Sequence, residues 1–186
     1  MADAALDIPR MSASDYLALE RQSPFRHEFV DGVVDAMSGG SRPDNDMTND
    51  VFVALMSRLA EPCRPYSNDV KVHIHALSKE QYYDPDVVVT CTDVDNGEYV
   101  LRLPSLVVEV LSSTTEAADR GYKFEDYKGL PSVQEYLLVH QERVCVEVCQ
   151  RRTNWEQETF EADAEIALES VNFAVPVAAF YRRVRL

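Results

Sequence analysis

The sequence predicts an α/β fold in which a central mixed β-sheet is flanked by helices, and three observations carry that expectation. Two runs, Tyr82 to Cys91 and Leu106 to Ser112, are almost continuously apolar, the pattern of central strands covered on both faces. Two longer stretches, Pro43 to Ala60 and Thr114 or Thr115 to about Leu130, read as helices. The predicted order is helix, hairpin, helix, three strands, helix, two strands, which sets helices against a mixed sheet rather than a purely parallel one.

The first helix runs from Ser12 to Gln22, with Ser12 as N-cap and Pro24 beyond its end. Arg26 to Met37 alternates around Asp31-Gly32, a strong signal for a tight hairpin, with Glu28 on its first strand. In the second helix Met47, Val51, Phe52, Leu55, Met56 and Leu59 recur at helical spacing. Val70 to His75 then alternates as a strand, with Val70, Val72 and Ile74 on one face and Lys71, His73 and His75 on the other. No third ligand stands at an obvious spacing from the two histidines, so the expected reading is a solvated face. The polar segment Thr92 to Pro104 reads as a surface loop. Past the third helix, closed by Gly129 and Pro131, lie strands at Gln134 to His140 and Arg143 to Gln150. Asn154 to Glu161 adds an edge strand, and Val177 to Tyr181 a short helix.

A chain of 186 residues is long enough for one sizeable core. The expectation is a single domain over residues 12–186, preceded by a poorly ordered segment, residues 1–11. No apolar run approaches the roughly 18 residues of a membrane span, and the first ten residues lack the pattern of a signal peptide. A cytoplasmic protein without a membrane partner is therefore expected. Cys63, Cys91, Cys145 and Cys149 show no metal-knuckle spacing and read as free, buried thiols. The net charge of −14 argues against tight gripping of duplex nucleic acid through phosphate neutralisation. It does not exclude a phosphate bridged by a metal, because carboxylates that hold a divalent ion are themselves acidic. There is no Gly-rich phosphate loop and no aromatic-basic array for stacking single strands.

The two apolar strands each carry one carboxylate. Asp86 stands directly before Val87-Val88-Val89, and Glu109 lies among Val107, Val108, Val110 and Leu111. An ionised carboxylate in a β-branched run loses hydration and persists only with a cation, a metal or strong donors nearby. Either acid alone is equally explained by a strand end facing solvent or by an arginine partner. Together, followed by Lys123 on the next helix, they suggest one metal site. Asp86 and Glu109 would hold Mg2+ or Mn2+, with the Val110 carbonyl as a further oxygen ligand. Such an ion polarises a phosphoryl oxygen and acidifies bound water, while Lys123 supplies a cation beside it. Asp119, Lys123 and Tyr127 are spaced four apart on one helix face, with Arg120 adjacent; Tyr127 and Arg120 are read as supporting residues.

At these residues the chain resembles the PD-(D/E)XK restriction-endonuclease-like superfamily and, within it, the Uma-type family. The resemblance covers nearly the whole chain. It rests on HEFVDG at 27–32, Gly39-Gly40, DPDVVVT at 84–90, LVVEVLSSTTEAADRGYKFEDY at 106–127 and PSVQEYLLV at 131–139. It implies a restriction-endonuclease-like fold, metal ligation by Asp86 and Glu109, a catalytic Lys123, and a supporting acid at Glu28. There are two departures. The superfamily's lysine normally stands two residues after the acid, where this chain has Leu111, and the lysine is displaced to Lys123. Many family members also carry a histidine shortly after the Gly-Gly turn, where this chain has Asp44. The implied function is a metal-dependent endonuclease, with DNA the favoured substrate. Two alternatives stand beside it: a non-catalytic interaction module that keeps the fold, and a nuclease-like site serving another phosphoryl or nucleotide substrate. A homodimer is also expected, because Val144, Val146 and Val148 line one face of a late strand that needs covering; the alternative cover is a third layer formed by the chain's own C-terminal residues.

Overall fold

The computed structural model describes residues 10–37, 39–76, 79–95 and 97–184. In chain order the elements are α1 (Ala13–Glu20), β1 (His27–Val30), β2 (Val33–Ala36), α2 (Arg42–Met56), β3 (Arg64–Ser67), β4 (Lys71–Ala76), β5 (Lys79–Tyr83), β6 (Val87–Thr90), β7 (Val100–Leu101) and β8 (Leu106–Leu111). They continue with α3 (Glu116–Arg120), α4 (Tyr122–Gly129), β9 (Glu135–His140), β10 (Cys145–Gln150), β11 (Gln157–Glu161), β12 (Glu165–Leu168), β13 (Phe173–Pro176) and a 3-10 turn at Val177–Tyr181.

The central sheet is mixed, as expected. Its order is β11-β10-β9-β8-β6-β3, and β8 and β9 run parallel while its other neighbours are antiparallel. β6 and β8 are buried along their whole lengths because both faces are covered. On one face Met47, Val51 and Leu55 of α2 meet Val87, Val108, Leu137 and Val146. On the other, Val107, Tyr136 and Leu138 meet Tyr127 of α4 and the inner face of a second sheet, through Val72, Ile74 and Tyr83.

That second sheet, β2-β1-β5-β4-β7, is the principal correction. Tyr82 to Cys91 is not one strand: β5 ends at Tyr83 in the second sheet and β6 begins at Val87 in the central one. Proline has no backbone N–H for a ladder, so Pro85 breaks the run. The segment read as a loop, Thr92 to Pro104, contains β7, which pairs in parallel with β4 and buries Leu101. The face of β4 read as solvated is covered in part: α1 packs Tyr16 against Phe29 and Tyr82, and Lys71 is buried.

Local expectations hold where the chemistry is local. Ser12 accepts from the Asp15 N–H. Asp31 and Gly32 take the positive φ values of a tight hairpin turn. Ser41 and Asp44 form a capping box at α2. The expected third helix divides at Gly121 into α3 and α4, and β3, β12 and β13 have no counterpart in the reading above. Register also overturns the free-thiol reading for one pair: Arg64 lies opposite Thr90, which sets Cys63 beside Cys91, and the two form a disulfide. Cys145 and Cys149 are free and buried.

The apolar face behind the homodimer expectation is already covered, since Val146 and Val148 pack on Ile166, Leu168, Val175 and Phe180 of the same chain. No described helix is long and apolar enough to cross a membrane. Of the segment expected to be poorly ordered, residues 1–9 lie outside the described residues. Met11 donates to the Gly32 carbonyl, and Arg10 pairs with Asp31.

Candidate active site

The crossing between the two sheets, Asp84-Pro85-Asp86, builds the site. Pairing of β6 with β8 stops at Val87 opposite Val108, so beyond it Glu109 and Val110 face Asp86 rather than a strand. Side chains replace the missing ladder. The Val110 N–H donates to Asp86 Oδ2 at 2.8 Å, and the Asp86 N–H donates to Glu109 Oε2 at 3.2 Å. The Glu109 side chain projects toward α4, on the same face of β8 as Val107 and Leu111.

Lys123 reaches this point because of Gly121. A Cβ there would stand 2.7 Å from the Ala117 carbonyl oxygen, so only glycine permits the break that turns α4 inward. Lys123 and Tyr127 are both buried as a result. The Lys123 ammonium lies 2.9 Å from Glu28 Oε1, 3.4 Å from Asp119 Oδ1 and 3.8 Å from Glu109 Oε1. Four expected residues, Asp86, Glu109, Lys123 and Glu28, thus converge, and Asp119 joins them.

One cation among four carboxylates leaves an excess of negative charge. Burial raises the Asp86 carboxyl to about 6, the Val110 N–H opposing it and the charge of Asp119 adding to it. Glu109 is pushed well above the carboxylate range by burial, only partly offset by Lys123, with Asp119, Asp86 and Glu28 reinforcing the shift. Asp119 is raised by burial against the opposing pull of Lys123. For Lys123, burial disfavours the charge, but Glu109, Glu28 and Asp119 outweigh it and hold the ammonium above its ordinary range. It is a fixed cation and not a proton acceptor at neutral pH.

A second lysine-centred group abuts the first. Lys71 lies 2.5 Å from Asp84 Oδ2 and 2.9 Å from Glu20 Oε2, and donates to the His27 carbonyl at 2.9 Å. The Asp84 N–H donates to Glu28 Oε1 at 3.4 Å, so Glu28 touches both groups. Reading the sequence missed Asp84, Lys71 and Glu20. The available signal was an acid on each side of Pro85; what hid it was the assumption of one continuous strand.

Asp84, Asp86 and Val110 line a cleft of about 810 Å³ whose walls include Asp44 of α2 and His140 to Arg143. A smaller cleft of about 450 Å³ beside Asp50 offers no comparable chemistry, because Arg183 already engages both carboxylate oxygens of Asp50. Asp44, on the wall of the cleft, caps α2 and accepts from Gln141. Arg120 does not join the carboxylates: it binds Glu116 and Glu147, and Glu147 also meets His140. Tyr127 is fully buried, and its hydroxyl has no hydrogen-bond partner among the described residues.

The donor set fits a hard divalent ion. Oε1 of Glu109 is buried without a hydrogen-bond partner among the described residues, while its Oε2 accepts from the Asp86 N–H, and Asp86 and Val110 line the cleft. Carboxylate and carbonyl oxygens are what Mg2+ and Mn2+ prefer.

The sequence model of the family described as "Uma2: Putative restriction endonuclease" matches residues 13–178. The uncharacterized protein slr1290 of Synechocystis sp. (strain ATCC 27184 / PCC 6803 / Kazusa) is 33% identical over 178 residues, covering 94% of this chain and 93% of that protein. A second protein of the same organism, the uncharacterized sll1609, is 31% identical over 137 residues, covering 70% and 75%. A solved structure from Anabaena variabilis ATCC 29413, described as "a putative nuclease belonging to DUF820", superposes with a TM-score of 0.72 at 15% identity, over 94% of this chain and 99% of that one. At that identity the likeness establishes the fold.

Proposed function

The chain belongs to the Uma2 family, and from that premise we propose that it is a metal-dependent nuclease hydrolysing phosphodiester bonds, with DNA the favoured substrate. Asp86, Glu109 and the Val110 carbonyl would hold Mg2+ or Mn2+ at the floor of the cleft. When bound, the ion supplies Lewis acidity toward a phosphoryl oxygen and a more acidic water. Lys123 contributes a permanent positive charge that orients the attacking water or offsets charge developing on the phosphate. In the metal-free site Glu109, Glu28 and Asp119 hold its ammonium charged against the opposing effect of burial. Glu28 and Asp119 act through Lys123, fixing the ammonium between them as positioning residues.

The observation that carries the reading is the buried Glu109 carboxylate, whose Oε2 meets the Asp86 N–H and whose Oε1 has no hydrogen bond among the described residues, only the Lys123 ammonium at 3.8 Å. A buried oxygen without a partner costs about 1–3 kcal/mol and more when charged, a cost that a bound ion removes. The test is cleavage of supercoiled, linear and single-stranded DNA, and of RNA, in Mg2+, Mn2+ and EDTA. Metal-dependent cleavage by the wild type and none by Asp86→Asn or Glu109→Gln is expected. Cleavage that persists in EDTA, or in either variant, contradicts the reading.

One observation favours a second reading, an acid-faced interaction module without catalysis. The cleft wall sets Asp44, Asp69, Glu116 and Glu142 against Arg26 and Arg143, in a chain of net charge −14. That reading expects no cleavage of any substrate in any metal. The cellular setting we infer is the cytoplasm.

A further inference from the structure

We propose a second metal site on the outer sheet, in which His73, His75 and Glu80 bind one divalent ion of the imidazole-preferring class: Zn2+, Ni2+, Co2+ or Cu2+. The register of one hairpin assembles it. His73 and His75 share a face of β4, and the antiparallel pairing sets Glu80 of β5 directly opposite His75 and Tyr82 opposite His73. One ligand atom from each of the three lies within 4.8 Å of the others.

The contacts fit a metal better than an ion pair. Glu80 Oε1 lies 3.5 Å from His75 Nδ1 and 3.8 Å from His73 Nε2, and forms a hydrogen bond to neither. His73 Nε2 is buried and has no hydrogen-bond partner among the described residues. Its ring is fixed by stacking on Tyr82, with centroids 4.4 Å apart and planes 10° apart. A cross-strand ion pair would need charged imidazoles. The unpartnered Nε2 of His73 therefore offers a lone pair toward Glu80 and His75.

Metal–ligand bonds of roughly 2.0–2.2 Å to nitrogen and oxygen place neighbouring ligand atoms about 3–3.5 Å apart. The three groups must therefore draw together by about 1 Å. The two that can move are the exposed ones, His75 at 63% and Glu80 at 38% side-chain exposure, while His73 at 13% is the fixed one. Three protein ligands with an open position suit a borderline ion and not Mg2+, which takes oxygen ligands. The two sites are thus separable by metal. An ion here would clip β4 to β5, the strand that leads directly into Asp84-Pro85-Asp86.

The test is titration of the full-length protein, without an affinity tag, with Ni2+ by calorimetry and with Co2+ by visible absorption. Wild type and Asp86→Asn should each bind a single Ni2+ per chain, retained in excess Mg2+, and develop the Co2+ ligand-field bands of a nitrogen-containing site. Removing a group that merely orients a ligand weakens metal binding roughly 10–100-fold, so His75→Ala and Glu80→Gln should weaken it by at least about a hundredfold. Both positions are at the surface, so loss of folding does not confuse the result; His73→Ala removes a stacked, half-buried ring and is the less informative variant. Ni2+ binding unchanged in His75→Ala, or absent from wild type at micromolar concentrations, overturns the proposal.

Discussion

Replacing Asp86 by Asn should stabilise the metal-free protein above pH 6, and the magnitude follows from the site. Burial moves the Asp86 carboxyl from 3.8 to about 6, which is worth about 3 kcal/mol at about 1.4 kcal/mol per pH unit. Asp86 retains some exposure to the cleft, so this figure is a ceiling. Because the folded value lies above the unfolded one, the folded chain binds the extra proton between about pH 3.8 and 6. The stabilising contribution is therefore complete below about 3.8 and is lost as pH rises through about 6. Asparagine does not titrate and escapes that loss. The bond from the Val110 N–H already offsets part of the burial cost in that value, and asparagine keeps an oxygen to accept it. The gain is therefore up to about 3 kcal/mol at pH 8, or roughly 6–12 °C in Tm for a chain of this size. Melting curves of both proteins in EDTA from pH 4 to 8 give the comparison. The advantage of Asp86→Asn should widen from pH 4 to 6 and then stay flat. A variant that is no more stable at pH 8, or a difference independent of pH, would refute the reasoning.

Lys123→Ala should lose activity but also about 3–5 kcal/mol of stability at neutral pH, since it leaves buried carboxylates without their cation; denaturant titration at pH 7 and pH 5 should show the deficit shrinking as those acids protonate. Loss of cleavage in that variant alone therefore does not establish a catalytic lysine, and the folded fraction must be measured beside it. Tyr127→Phe should stabilise the protein by about 1 kcal/mol, because it removes a buried hydroxyl that bonds to nothing described, and should leave cleavage intact; a destabilised variant or a loss of cleavage would give the hydroxyl a role. Gly121→Ala should cost about 1–3 kcal/mol and lower cleavage, since the atom it meets is a backbone oxygen that cannot swing aside. Unchanged melting and activity would count against Gly121 as the device that delivers Lys123.

Features governed by neighbours in sequence were legible. Asp31-Gly32, the Ser12 and Ser41 caps and the all-buried β6 and β8 all follow from local patterns, and so did Asp86 and Glu109, because a carboxylate inside a valine run is conspicuous. What was not legible depends on which strand lies beside which. Pro85 could be seen, but not that the chain changes sheets there, and with that crossing Asp84, Lys71 and Glu20 stayed hidden. Arg120 follows Asp119 in sequence yet turns to Glu147 on β10, a partner that only the strand order β10-β9-β8 provides. The Cys63–Cys91 bond and the contact of Glu80 with the two histidines are register effects of the same kind. The cover over Val146 and Val148 comes from the C-terminal segment, the alternative to a partner subunit, although β12 and β13 gave no recognised strand signal.

The central claim is that Asp86 and Glu109 hold an oxygen-preferring divalent ion in this cleft. The most direct measurement is the Tm of wild type and Glu109→Gln in Mg2+, in EDTA and in NaCl at matched ionic strength, the last because screening stabilises an acidic chain by itself. At a Mg2+ concentration one hundred times its Kd the wild type should gain about 2.7 kcal/mol, roughly 5–11 °C, beyond the NaCl control, and Glu109→Gln should show only the NaCl-matched shift. An equal Mg2+-specific shift in both proteins would mean that Glu109 holds no ion.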